Sequence, residues 1–365
     1  MLGMTDFVPG LRLSRLFYEE AVRPILDAEF PDLPHSAALL GHGSEVLGFD
    51  DPQSTDHHWG PRLQLFLNEQ DYRQFDSNIS EILSNRLPIN FMGYSTNFGE
   101  PDEEGVQLLE EVISSPINHR VEISTIKLSF EDILHFNPYC EITVLDWLLF
   151  PQQELLGITT GEVFFDGLNE LNSLRHKFAY YPEDVWLYLL SAQWMKIAQE
   201  EAFVGRCGDI GDELGSQIMA VRLVRELMKL CFLLEKTHAP YSKWLGMAFA
   251  RLQCSKELIP VLEQILSSDA CKERETGLSH AYEIVGNLHN SLGVTEYVEA
   301  KISRYHGRPY LVIHAKRFAE AARSAIKDEN VRAISVSIGS VDQFIDSTDA
   351  LMDIKLLRKL RTIFE

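Results

Sequence analysis

Basic charge is scarce in this 365-residue chain: 33 Lys and Arg stand against 54 Asp and Glu, a formal net charge of −21. A surface of that sign repels phosphate backbones and anionic lipid at long range, which argues against DNA, RNA or a membrane as the main partner. A small nucleotide remains compatible, because one local basic pocket and a metal ion suffice to hold it. Cysteine is sparse too. Cys140, Cys207, Cys231, Cys254 and Cys271 are odd in number, widely spaced and without a CxxC pair. That pattern argues against a disulfide framework or a zinc site and predicts reduced core thiols. Long hydrophobic runs are missing: the stretch around Ile142 to Phe150 contains Asp146 and is far short of the ~20 apolar residues needed to cross a bilayer. The N-terminal segment lacks a basic region followed by an apolar core, so no signal peptide is expected and a cytoplasmic location is predicted. The sequence has no internal repeat and no low-complexity tract.

What is present is an ordinary globular composition, 45% hydrophobic and 24% charged, on a chain long enough for two domains. Leu13, Leu16, Phe17, Val22, Ile25 and Leu26 fall at helical spacing and predict a first amphipathic helix ending near Pro31. Ser36 to Leu40 reads as a strand feeding the turn Gly41-His42-Gly43-Ser44. Leu63 to Leu67 reads as a strand buried on both faces, 69–85 as a helix and Ile89 to Tyr94 as a further strand. Val121 to Ile126 alternates, with Val121, Ile123 and Thr125 on one face and Glu122, Ser124 and Ile126 on the other. Strands separated by helices predict a small α/β domain with a mixed sheet over residues 1–140. Beyond it, residues 167–178, 182–203, 211–236, 241–252, 255–268 and 272–292 read as helices, joined by 317–326, 350–363 and a late strand near 310–313. Residues 141–365 are therefore expected to form a larger, mainly helical bundle, with the Trp186 and Trp194 stripe in its core. The expected fold class is α+β.

One constellation suggests chemistry. Nucleotidyl transfer needs a glycine that lets backbone approach a triphosphate, then a serine whose N–H and hydroxyl can donate to it. About a dozen residues later it needs a strand presenting metal ligands at i and i+2, with a third carboxylate from a neighbouring strand. Gly43 and Ser44 supply the first part. Asp56 follows after eleven residues, His58 sits two further on, and Glu122 on the alternating strand is the candidate third ligand. Arg62 is placed to reach a phosphate or to pair with the acidic loop. Each residue also has a plainer reading: a common Gly-Ser turn, a capping aspartate at Asp56, a structural pair at His57-His58 and a solvent-facing Glu122. Asp50 and Asp51 read as shaping the loop before Pro52.

The pattern resembles the polymerase-β-like nucleotidyltransferase motif. Across most of its length the chain is similar to the proteins grouped as domain of unknown function 4037, on the stretches GSEVLGFDDPQSTDHHWGPRLQLFL, Arg120-Val121-Glu122, AYYPEDVWLYLLSAQW, AQEEAFVGRCGDIGDELGS, APYSKWLGMAFARL and GRPYLVIHAKRFAEA. The resemblance implies a metal-dependent transferase of the nucleotide-binding kind. It would take a nucleoside triphosphate such as ATP with Mg or Mn between the two domains and pass NMP to a hydroxyl of a small-molecule or protein acceptor. Gly43, Ser44, Arg62 and, by analogy with two-domain nucleotidyltransferases, Lys243 would bind the nucleotide. Asp56 and Glu122 would be catalytic and, with His58, would hold metal. Glu201 and Arg206 are candidates for the acceptor cleft, or for a helix-end salt bridge; Lys243 is equally readable as a surface lysine. The superfamily has a carboxylate where this chain has His58, and imidazole is a poor magnesium ligand. Three outcomes follow: one metal held by Asp56 and Glu122, a preference for manganese or another imidazole-tolerant metal, or a catalytically inactive protein that binds nucleotide as a regulator or scaffold.

Overall fold

The computed structural model describes residues 7–56, 58–103 and 105–365, and of Asp56 the backbone alone. The chain divides into two compact units, residues 1–141 with 154–179 and residues 142–153 with 180–365.

The first unit is an α+β layer. Its N-terminal helical track runs through α1 (Gly10–Phe17), one wider π turn at Tyr18–Val22 and α2 (Arg23–Glu29). The sheet follows from short apolar segments bounded by turns. β1 (Ser36–Leu39) is Ser-Ala-Ala-Leu and wholly buried, as a central strand must be. It pairs antiparallel with β2 (Arg62–Phe66). Helix α3 (Glu69–Arg86) starts at Asn68, whose side chain caps the Asp71 N–H. A two-residue hairpin of β3 (Asn90–Phe91) and β4 (Tyr94–Ser95) comes next, where the sequence suggests one longer strand. β5 (Arg120–Ser124) then lies parallel to β2, with Arg62 opposite Arg120 and Gln64 opposite Glu122. Thr125 caps α4 (Ile126–Leu134).

The fourth strand comes from beyond residue 140. β6 (Glu162–Asp166), between α6 (Gln152–Thr159) and α7 (Leu171–Lys177), pairs antiparallel with β1, giving the mixed order β5-β2-β1-β6. Residues 154–179 therefore pack with the sheet and not with the helical half that composition assigned them to. Leu63, Leu65 and Val121 project from β2 and β5 onto Phe17, Tyr18, Leu26, Ile79 and Leu83. Each such side chain contributes about 1.5–3 kcal/mol of burial.

The second unit is helical: α5 (Val144–Leu149), α8 (Glu183–Glu200), α9 (Phe203–Asp209), α10 (Glu213–Leu234), α11 (Leu245–Phe249), α12 (Ser255–Ser267), α13 (Cys271–Ser291) and α14 (Lys316–Ala325), with short helices beyond. Trp186 and Trp194 on α8 are buried, Trp194 stacking on Phe318 at 4.5 Å. The late strand is one half of a small hairpin, β7 (Ser303–Arg304) with β8 (Leu311–Val312). All five cysteines are free. No helix among the described residues is long and apolar enough to cross a membrane.

Candidate functional site

The Gly-Ser segment leaves β1 as a tight turn and not as the start of a helix. Phe49 N–H donates to the Ser44 carbonyl (2.8 Å) and Leu47 N–H to the Gly43 carbonyl (3.4 Å), closing the loop on itself. Gly43 has φ +136°, a conformation that a side chain would strain, and a Cβ there would meet the Arg62 guanidinium and the Glu45 carboxylate at 2.5 Å. The turn is tied to the sheet by Arg62, the first residue of β2. Its Nε donates to Glu45 Oε1 (2.8 Å), its Nη2 lies 2.6 Å from the same oxygen, and Nη2 donates to the His42 carbonyl (2.7 Å). Gln64, two residues along on the same face, brackets Leu40: its Oε1 accepts from the Leu40 N–H and its Nε2 donates to the Leu40 carbonyl. Exposed His42 stands 3.5 Å from buried Glu154.

These contacts leave part of the turn's backbone unpaired, with His42 exposed, Gly43 and Ser44 half-buried, and Glu45 and Val46 buried. Among the described residues, the backbone N–H groups of His42, Gly43, Ser44, Glu45 and Val46, and the Ser44 hydroxyl, meet no acceptor or donor. Consecutive unpaired amides bind an anion where their N–H groups converge.

The segment expected to bear the metal is arranged differently from its sequence expectation. Asp56 does not open a strand; it ends a 3-10 turn, Pro52–Asp56. Asp51 builds that turn by accepting from the N–H groups of Gln53 and Ser54, and Asp50 holds the Gly10 N–H and the Trp59 indole N–H. His58 follows with φ +52°, and the strand begins only after Gly60-Pro61. Asp56 and His58 thus share no strand face; Arg62 and Gln64 occupy the i and i+2 positions of β2. The Asp56 side chain lies outside the described residues, as does all of His57.

His58 is engaged by Arg120, whose Nη1 donates to its Nδ1 at 2.9 Å. A guanidinium only donates, so this nitrogen carries no proton and its lone pair is already used. Arg120 also lies over the Phe98 ring at 5.5 Å. Its pKa is depressed by burial first and by the neighbouring Arg62 charge second, opposed by Glu122 and Glu45. Glu122 projects from the exposed face of β5 and makes no hydrogen bond or ion pair among the described residues. The face therefore carries Arg62, Gln64, Arg120 and Glu122 together. A divalent ion needs several hard oxygens; of the described carboxylates here Glu45 is held by Arg62 and only Glu122 is without an ion pair, and no group of three His, Cys, Asp or Glu among the described residues could hold a metal. They do not by themselves fit Mg or Mn.

Three expected site residues lie in the second unit. Lys243 is exposed and covers the ring of its neighbour Trp244, with Nζ 4.8 Å from the centroid. Arg206 is exposed on α9. Glu201 is buried, and its carboxylate accepts from the backbone N–H groups of Ile313 (3.1 Å) and Ala315 (3.2 Å). It staples the segment after β8 to the end of α8 and does not open onto solvent.

Burial pushes the Glu201 carboxyl from 4.5 up to about 7, opposed by those amides. The folded chain holds the proton more tightly than the unfolded one. The stability from this site is complete below the unfolded pKa and is lost as pH rises to about 7. Glu201→Gln removes the titration, so its stability relative to wild type is expected to rise by roughly 3 kcal/mol across that window, read from urea midpoints at several pH values. Parallel profiles for the two proteins would refute the shift.

Arg120, Glu45 and Gln64 are the residues of this site that sequence reasoning gave no role. Their signal was present as polar side chains at alternate positions of otherwise apolar strands, and as an acid next to the Gly-Ser pair. Among known proteins, residues 147–245 match the family described as Domain of unknown function (DUF4037), a stretch from within α5 to the start of α11. No curated protein and no solved structure matches the chain. The similarity to the domain of unknown function 4037 family is thus confined to residues 147–245, about a quarter of the chain.

Proposed function

We propose that this chain is a nucleotidyltransferase-like nucleotide-binding protein whose first unit seats the phosphates of a nucleoside triphosphate on the Gly43–Ser44 turn. The observation that supports this reading is the row of five unpaired amides at residues 42–46 with the Ser44 hydroxyl, on the turn that Arg62 holds, on a chain whose net charge is −21. Arg62 is committed to Glu45 and orders the turn. Arg120, one strand over, retains donors beyond the one given to His58 and supplies the positive charge a phosphate needs. The overall negative charge keeps long nucleic acid away while leaving this local attraction intact.

Transfer of NMP to a hydroxyl acceptor is the second reading, favoured by the exposed carboxylate of Glu122 beside Gln64. It requires Asp56 to complete a hard-oxygen site for Mg or Mn, and an acceptor that is a neutral or basic small molecule or a protein.

Calorimetric titration with each triphosphate, with and without Mg and Mn, followed by assay for pyrophosphate, separates the two. Binding without pyrophosphate under any metal supports the first reading, as would turnover gained by His58→Asp. Pyrophosphate release that Asp56→Ala abolishes supports the second. Arg120→Ala is expected to weaken binding by about 10-fold or more, the loss of one charge-assisted contact of about 1.5–3 kcal/mol. Absence of binding by every triphosphate overturns both.

A further inference from the structure

Helix α10 carries apolar side chains on two opposite faces. Ala220, Leu223, Leu227 and Leu230 on one face are core. On the other, Leu214, Ile218 and Val221 follow i, i+4, i+7 spacing and are 68%, 59% and 55% exposed. Ile210, one turn ahead of Leu214 and just before the helix, is also exposed. Single exposed apolar residues are ordinary, but a row along one helix face is the signature of a covered surface. In a chain so rich in acid, a solvated face at these positions would be expected to carry charge.

The flanks of the row indicate what covers it. Asp212 and Glu213 stand at its N-terminal end, Arg222 and Arg225 toward its C-terminal end. A helix with acid at one end and base at the other is complementary to its own copy run antiparallel. A two-fold axis at Ile218 sets Ile218 against itself and brings Glu213 and Asp212 to within one residue of the positions opposite the second copy's Arg222 and Arg225. Isologous two-fold contact is the commonest symmetry of soluble oligomers. Within the chain, Arg222 Nε holds Glu200 (2.6 Å), Arg225 Nη2 holds Asp346 (2.5 Å), Glu213 pairs with Arg274 and accepts from the Cys271 N–H (3.0 Å), and Asp212 Oδ1 caps the Gly215 N–H (2.8 Å), each carboxylate keeping further lone pairs. Each guanidinium has five donors, so both arginines keep N–H groups for a partner.

We propose that the exposed face of α10 is the interface of a two-fold homodimer of this chain, with Leu214, Ile218 and Val221 as its apolar centre and Asp212, Glu213, Arg222 and Arg225 as its charged rim. Light scattering of the full chain is expected to give twice the 41.6 kDa of one copy. Ile218→Asp is expected to give one copy with unchanged circular dichroism, since the side chain it replaces is 59% exposed. Ile218→Cys, next to the axis, should cross-link to a covalent dimer under mild oxidation, while Met247→Cys, exposed on α11, should not. A wild-type chain that stays monomeric at about 100 µM, well above the micromolar range of standard interfaces, overturns the proposal, as does a dimer that survives Ile218→Asp.

Discussion

Replacing Glu45 by alanine is expected to destabilise the first unit by about 3–5 kcal/mol, the usual effect of breaking one side of a buried ion pair. Glu45 is 3% exposed and sits against the Arg62 guanidinium at 2.6 Å. Its removal leaves Arg62 with a half-satisfied charge at the start of β2 and removes a side chain that ties the turn to the sheet. The same substitution should abolish triphosphate binding, because the amides of 43–46 are aligned only while Arg62 ties Glu45 and the His42 carbonyl together. Removing both charges, in Glu45→Leu with Arg62→Met, should recover most of the stability and none of the binding. Urea unfolding gives the first quantity and calorimetric titration the second. If Glu45→Ala binds as wild type does, the turn does not depend on this tie.

A second large effect is expected at Gly161, between α6 and β6. Its φ is +65°, its N–H donates to the Val46 carbonyl at 3.0 Å, and a Cβ there would collide with the carbonyl oxygen of Leu39 in β1. Backbone lies on both sides of that collision, so no side chain can swing away to relieve it. Gly161→Ala should therefore cost about 4 kcal/mol or more, at the upper end of single substitutions, by prising β6 from the central strand and pulling on the end of the Gly-Ser turn. Gly293, with a similar φ of +64° but open space around its Cβ position, serves as the control. Gly293→Ala should lose only about 1 kcal/mol for its backbone conformation. Equal losses at the two sites would mean that φ alone, and not the contact with β1, sets the effect.

Much of the helical half was legible because its apolar residues recur at helical spacing over long windows. The expected 182–203 and 211–236 correspond to Glu183–Glu200 and Glu213–Leu234. Strands β1, β2 and β5 were legible as short apolar runs next to turn residues. β6 was not, because Glu162-Val163-Phe164-Phe165-Asp166 is half-buried along its length and lies between two helices, so no alternation marks it. The site was legible in part. Gly43 and Ser44 mark a real turn, and Glu122 shares a face with the first residues of β2. The placing of Asp56 and His58 on a strand failed because spacing alone does not see Pro52, Asp51 and Pro61, which fold residues 52–61 into a turn and delay the strand to Arg62. The roles of Glu45 and Arg120 depend on pairing across the sheet, which one sequence does not display.

The most direct measurement is the response of the backbone amides of residues 42–46 to a nucleoside triphosphate, followed by NMR on selectively labelled protein. On this account the Gly43, Ser44, Glu45 and Val46 amide resonances shift in a saturable manner, and the shifts vanish in Glu45→Ala. Saturable shifts elsewhere with these amides unmoved, or no shift at any triphosphate concentration, would contradict it.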